Sequence, residues 1–402
     1  MISVGIDVSK EKSTVCILKP YGEILSKPFE IQHVDRELNE LSSMLIRLDG
    51  EVRVIMEATG VYHLPVVGYL QEKGIFVSVI NPYIMKEYRC QGLRRIKTDR
   101  QDAIVISNYG IDNWWRLENY EPCEAVYGEL KLLGRRYRHY MSMRIESMQE
   151  LTHMLDYTMP KIKNLLKGWN EVNRKDKLSD FVENYWHFDV ITDMTEEEFI
   201  IDYCRWVREK GYHQSHDKAT EIYAVAKEGI PSLSSDTPSV KMLVLEAVRV
   251  LREINNTLST ILTQMQTLSK SLPEYPIVRA MGGVGDILAP KLIAEIGNVR
   301  RFHSGKALIA YAGIDAPPYQ SGQFIGTNRR ISKRGSSNLR KVGYEVMRIL
   351  KTHKELDDCA VYRFILKKES EGKTKKASKI AGLNKFLRIY YARVMEVYSV
   401  TN

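Results

Sequence analysis

Four acidic residues stand where a charge is costly unless something pairs with it. Asp7 interrupts the apolar stretch G-I-D-V-S, and Glu57 ends V-R-V-I-M-E just before A-T-G begins a turn. A carboxylate buried in such a run is unfavourable without a partner. Asp99 and Asp102 lie three apart in K-T-D-R-Q-D-A, ahead of an apolar helical stretch. On a helix they project about 60° apart, so both reach toward one point. Four carboxylates in one place do not all stay ionised without cations, and their hard oxygens suit Mg²⁺ or Mn²⁺. Two such ions about 4 Å apart clamp the attacking and leaving oxygens of a phosphoryl transfer, which is chemistry on a nucleic-acid backbone. Taken singly, each acid also has a plainer role as a turn former, a helix cap or a match to a helix dipole.

A sheet is needed to bring these positions together, and the first part of the chain reads as one. Residues 3–8 and 13–19 are β-rich and flank the polar S-K-E-K, and Tyr21-Gly22 turns into 23–31. Helical periodicity over 34–48, a buried-type strand over 52–56, a helix over 62–73 and a strand over 75–80 follow. The order βββαβαβα is that of a ribonuclease H sheet, and the carboxyl ends of its strands are where open sheets gather their sites. We assign residues 1–120 to this α/β domain.

Residues 121–272 carry few strand signals and read as a helical region. Ala247, Leu251, Ile254, Leu258, Ile261, Met265, Leu268 and Leu272 alternate spacings of four and three, a coiled-coil seam over about 240–272. The expectation is pairing with a second copy; the alternative is an amphipathic helix in an intramolecular bundle. After Pro273 a mainly helical third domain, 273–402, begins. In I-V-R-A-M-G-G-V-G-D-I-L-A-P-K-L-I, an apolar helix, a turn at Gly283 and Gly285, and a second apolar helix fit a helix-hairpin-helix that offers backbone N–H groups to phosphate. Residues 328–341, N-R-R-I-S-K-R-G-S-S-N-L-R-K, form the strongest basic patch, with Arg329, Arg330, Lys333, Arg334, Arg340 and Lys341 expected on phosphates. Interleaved Ile331 and Leu339 imply a structured loop, and Gly335-Ser336 a helix start. Ser321 lies upstream of that patch, within reach of a phosphate it would hold, but Ser332, Ser336 and Ser337 have equally basic surroundings. The run K-K-E-S-E-G-K-T-K-K, 367–376, reads as an exposed loop between two helices.

Composition narrows the class. A hydrophobic share of 44% with 27% charged residues, and no apolar run of membrane-spanning length, indicate a soluble protein without membrane contact. The N-terminus reads as a strand and not as a signal segment, so a cytoplasmic, nucleoid-associated location is expected. Cys16, Cys90, Cys123, Cys204 and Cys359 are scattered, giving neither a disulfide framework nor a zinc site, and His213 with His216 receives no role. Lys and Arg outnumber Asp and Glu by 59 to 50, a net of +9 that favours a polyanionic partner.

The motifs G-I-D-V-S-K, M-E-A-T-G-V-Y, K-T-D-R-Q-D-A, and Ser321-Gly322 followed by R-I-S-K-R-G together resemble the DEDD transposases, the bridge-RNA-guided recombinases of insertion-sequence family one-ten, which include Piv-type invertases. The resemblance covers 1 to about 110 and 275–355. It implies a RuvC-like domain in which Asp7, Glu57, Asp99 and Asp102 hold Mg²⁺ or Mn²⁺, and a transposase domain in which Ser321 is the nucleophile that forms a phosphoserine link with a cut DNA strand. It also implies a noncoding bridge RNA that pairs with donor and target DNA, and a homo-oligomer, a dimer assembling to a tetramer in the synaptic complex, where carboxylates of one subunit meet the serine of another. Residues 165–240 exceed the usual linker of the family and carry none of its motifs. Two other readings stand beside strand exchange. One is a metal-dependent junction endonuclease in which water attacks, and the other a binding protein that keeps the fold without the chemistry.

Overall fold

The computed structural model describes residues 1–89, 98–121, 124–316, 330–352 and 359–399, with backbone alone at 320–321, 324–325 and 400. Cys90, Cys123 and Arg329 lie outside the described residues. The chain divides into two compact units, Met1–Pro122 and Cys123–Asn402.

The first unit is built on a five-stranded sheet of order β3-β2-β1-β4-β5. Its strands are β1 Ile2–Val8, β2 Lys12–Leu18, β3 Ile24–Gln32, β4 Val52–Glu57 and β5 Phe76–Ile80. β1, β2 and β3 form an antiparallel meander, while β4 lies parallel to β1 and β5 parallel to β4. The parallel steps require crossovers, supplied by α1 Asp35–Ile46 and α2 His63–Glu72. This is the ribonuclease H order expected from the sequence. One short helix, α3 Pro82–Arg89, comes before α4 Asp99–Asp112.

Alternation along the strands sorts the two faces. Ile2, Val4, Ile6 and Val8 of β1, with Val54 and Met56 of β4, join the core under α1 and α2. The odd-numbered positions Ser3, Gly5 and Asp7, and Ile55 and Glu57, therefore fall on the other face, which α4 covers. That helix sits unusually close to the strand. A Cβ on Gly5 would stand 2.3 Å from the Ala103 carbonyl oxygen and 2.4 Å from the Ser107 amide nitrogen, and one on Gly110 would stand 2.3 Å from Ser3 Oγ. Ser3 Oγ donates to the Ser107 carbonyl and Ser107 Oγ to the Ser3 carbonyl, each at 2.7 Å.

The second unit is helical. Two long helices, α5 Ala125–Thr158 and α11 Pro238–Lys270, run against each other, and between them in sequence lie α6 Ile162–Leu165, α7 Lys177–Asn184, α8 Phe188–Thr192, α9 Glu196–Glu209 and α10 His216–Glu228. These shorter helices enclose an aromatic core of Phe181, Tyr185, Phe188, Phe199, Tyr203 and Trp206, closed by Leu151 and Leu155 of α5 and Val244, Val248 and Leu251 of α11. Residues 165–240, which no motif explains, are thus a packed helical module.

The apolar seam of α11 is satisfied within the chain. Leu251, Ile254, Leu258, Met265 and Leu272 are buried in cores shared with α5, and Ala247, Ile261 and Leu268 pack at their margins. The expected intermolecular coiled coil is corrected accordingly: a face covered by α5 is not free to zip with a second copy. The same core runs on without a break at 272 into α12 Tyr275–Arg279, α13 Gly285–Ile296, α14 Gly305–Ala312, α15 Ser337–Thr352, α16 Ala360–Ser370 and α17 Lys375–Val400. A two-residue ribbon pairs β6 Gln320–Ser321 with β7 Phe324–Ile325.

Two local expectations change. The helix-hairpin-helix has only the five-residue α12 as its first arm, and Gly283, at φ +80°, is demanded by packing, since a Cβ there would lie 2.8 Å from the Val346 carbonyl oxygen of α15. Gly285, at φ +60°, opens α13 with free space around it. The run 367–376 is not a loop. Lys367 to Ser370 complete α16, Lys375 and Lys376 open α17, and only the residues between them turn, because the flanking apolar positions are held by the core.

Candidate active site

The acids meet at one corner of the first unit. Asp7 is next to last in β1 and Glu57 ends the parallel β4, each one step beyond the Ile6–Met56 register pair. Asp99 and Asp102 occupy the first turn of α4, which starts at Thr98, whose side chain accepts from the Gln101 amide. An acid in the first turn of a helix is favoured by its dipole, so the local preference and the shared site agree. The close packing of α4 on β1 carries that first turn to the strand ends.

The electrostatics register the crowding. Burial first, then Asp102, Asp99 and Glu57 together raise the Asp7 carboxyl from its ordinary 3.8 to about 6, against a lowering pull from Arg89. Arg89, the last residue of α3, lies among them. Its Nη2 donates to Glu57 Oε2 at 2.9 Å, and its Nε stands 3.5 Å from Asp102 Oδ1. Among the described residues no three acidic, His or Cys side chains already stand at ligating spacing. The donor set fits a hard divalent cation nonetheless: it is all oxygen, and it already draws a guanidinium between two of its members. Nothing in the sequence marked Arg89, whose position depends on a short helix ending beside β4.

If Arg89 is the resident counter-charge of this cluster, Arg89→Gln in chelator should lower stability by about 1–2 kcal/mol, the scale of a half-buried pair. Millimolar Mg²⁺ should restore most of the loss. Thermal melts with and without the ion read both, and equal melts for variant and parent in chelator would remove Arg89 from that role.

In the second unit the basic segment is ordered around the end of α14. Gly313, at φ +64°, and Gly335 pack backbone to backbone, and a Cβ on Gly335 would stand 2.1 Å from the Tyr311 carbonyl oxygen. Arg340 donates through Nη1 to the Ala312 carbonyl at 2.9 Å and the Gly335 carbonyl at 3.0 Å. The guanidinium thus caps α14 through Nη1. Arg330, Lys333, Arg334 and Lys341 are exposed. Of the candidate serines, Ser332 gives its hydroxyl to Asp315 Oδ1, Ser336 accepts from the Leu339 amide at 3.1 Å as the cap of α15, and Ser337 is the first residue of that helix. Ser321 pairs by its backbone with Phe324 in the ribbon, and its side chain lies outside the described residues.

Comparison with known proteins matches both ends of the chain to one family. Residues 4–160 fit a transposase model of the DEDD IS110 type, and residues 275–361 fit the model described as "Transposase IS116/IS110/IS902 family". The chain belongs to the IS110 transposase family. It is a DNA transposase or recombinase enzyme. Two pilin gene-inverting proteins, of Moraxella bovis and Moraxella lacunata, are each 24% identical to the transposase over 345 residues, spanning 86% of this chain and 80% of theirs. Two structures of T. thermophilus RuvC, one in complex with a Holliday junction substrate, align with 14% and 13% identity over 29% of the transposase and 96% of the RuvC chains. Their TM-score is 0.23, so the fold of the first unit rests on its own strand order. No described helix of the transposase is long and apolar enough to cross a membrane.

Proposed function

We propose that this transposase exchanges DNA strands through a covalent serine intermediate, with Asp7, Glu57, Asp99 and Asp102 as its metal-binding acids and Ser321 as its nucleophile. The observation that carries the reading is the convergence of four acids, from two strands and a helix, on one sheet face. Bound divalent ions would stabilise the negative charge that builds on the transferred phosphate. Asp7, Glu57, Asp99 and Asp102 would hold the ions, whose charge would take over the neutralising part that Arg89 plays beside Glu57 and Asp102.

Ser321 Oγ forms a bond to phosphorus as the phosphorus–oxygen bond of the cut strand breaks, and the serine proton ends on the departing strand oxygen. Reversal with a new strand oxygen regenerates the hydroxyl and joins the ends. The engagement of Ser332 and Ser336 in structural bonds favours Ser321 over those alternatives. Arg330, Lys333 and Arg334 position the phosphate beside it. We further propose, from the family resemblance, that residues 1–120 are the catalytic domain and 273–402 the transposase domain. A noncoding bridge RNA selects donor and target, and the enzyme works in the cytoplasm as a homo-oligomer.

Incubation of the purified protein with labelled DNA, the neighbouring noncoding RNA and Mg²⁺ should trap protein-linked DNA. Ser321→Ala should abolish that product and strand joining while DNA binding persists. Cleavage that survives Ser321→Ala would instead favour a water-using junction endonuclease.

A further inference from the structure

Three stretches of the sequence are strongly basic: residues 131–144 hold five cations and no acid, and two others lie toward the C-terminus. Residues 328–341 contain six cations and no acid, and residues 360–393 contain ten cations and two acids, a net of +8. Together they hold +14 against +9 for the whole chain, so everything else sums to −5. The helical module at 161–237 contributes 15 acids against 11 cations. A polyanion is therefore drawn to a few basic segments; Arg138 and Arg144 of 131–144 are engaged by Glu295 and Asn255, the proposed chemistry uses 328–341, and 360–393 is left without a role.

The segment 360–393 is a rigid helical hairpin. A Cβ on Gly382 of α17 would lie 2.5 Å from Ile365 Cγ1 of α16, and one on Gly343 of α15 would lie 2.5 Å from Leu383 of α17, so all three helices lock at close range. Both acids of the hairpin are already paired, Glu369 with Lys351 of α15 and Glu371 with Lys368. Lys379 and Lys385 rest over the rings of Tyr344 and Phe364. At the tip, Lys367, Lys373, Lys375 and Lys376 are exposed, and among the described residues none of the four has an acidic side chain within ion-pair distance. No acid stands in the first turn of α17 to offset them. Glu371, already bound to Lys368, is the acid that Lys367 and Lys373 also feel, so the tip keeps a positive excess that a bound polyanion would offset.

We propose that the tip of the α16–α17 hairpin is a second nucleic-acid surface that grips the phosphate backbone of duplex DNA without reading its sequence. The residues are lysines, point charges on flexible stems, suited to phosphate contact and not to the bidentate reading of a base edge by arginine. Residues 366–379 contain no aromatic side chain, so the tip lacks the stacking platforms by which single strands are held. The surface rests on the DNA-acting function of the chain but not on the serine chemistry. It would hold flanking duplex while another part of the protein works on the strand.

The test is equilibrium binding of the full chain in chelator, where no strand is cut, to a random-sequence duplex across a series of salt concentrations. The fourfold variant Lys367→Gln, Lys373→Gln, Lys375→Gln, Lys376→Gln should bind at least about tenfold more weakly near 0.1 M salt, and its log–log salt slope should be shallower by about 3–4, near 0.9 for each lost phosphate contact. The corresponding fourfold change to Arg should keep the parental slope, which separates lost charge from lost folding. An unchanged slope on duplex DNA overturns the proposal. So does a slope that changes on a hairpin or single-stranded RNA of equal length and not on the duplex, which would assign the surface to RNA. Because the readout is binding without cleavage, it is independent of the result with Ser321→Ala.

Discussion

Asp7→Asn is expected to lower DNA cleavage and joining by about three orders of magnitude while leaving the metal-free protein more stable than its parent. The two effects have one origin. Asp7 is raised to about 6 by burial and by Asp102, Asp99 and Glu57. The folded protein therefore binds a proton here more tightly than the unfolded chain, whose Asp titrates near 3.8. Stability from this group is present at low pH and is lost as pH rises through the window from about 4 to 6. Above it, the ionised carboxylate opposes folding by about 1–2 kcal/mol once solvent screening is allowed for. Asn removes that opposition, and with it a ligand for the ion that stabilises the transition state, a loss on the scale of other electrostatic contributors. Melts in chelator at pH 4 and pH 7, beside a strand-joining assay in Mg²⁺, read both. Retained joining by Asp7→Asn would remove the carboxylates from the chemistry. A variant that melts below its parent at pH 7 in chelator would remove the repulsion argument.

Gly5→Ala should be nearly as damaging, though it touches no acid. The added Cβ would meet the backbone of α4 at 2.3 and 2.4 Å, and backbone does not yield as a side-chain tip does. The helix must lift off β1, breaking the reciprocal Ser3–Ser107 hydrogen bonds and moving Asp99 and Asp102 away from Asp7. Overpacking together with two lost buried hydrogen bonds amounts to about 3–5 kcal/mol. Joining should fall at least tenfold, and amide hydrogen exchange should speed up along α4. If Gly5→Ala keeps those amides protected and melts with the parent, the close approach is not required.

The acids were legible because each broke a local pattern: a charge inside an apolar strand, a charge before a turn, and two on one helical face. The strand order was legible because alternation and turn residues act over a few neighbours. Three features were not. Arg89 reaches Glu57 and Asp102 only because α3 ends beside β4. Arg340 looks like any other residue of a basic run until the carbonyls at the end of α14 claim it. The seam of α11 reads identically whether its partner is α5 or another chain, since heptad spacing specifies a face and not what covers it.

By itself the amino-acid order determined the ribonuclease H succession of the first unit and the placing of the four acids on two strands and at the start of a helix, consequences of periodicity and of charge set against burial. Only the tertiary structure decided that those acids face one another, that the long helices pair within the chain, and that the lysine run at 367–376 caps a rigid hairpin. These depend on which surfaces approach at a distance of many residues, and close approach is a property of packed volumes that no local pattern encodes.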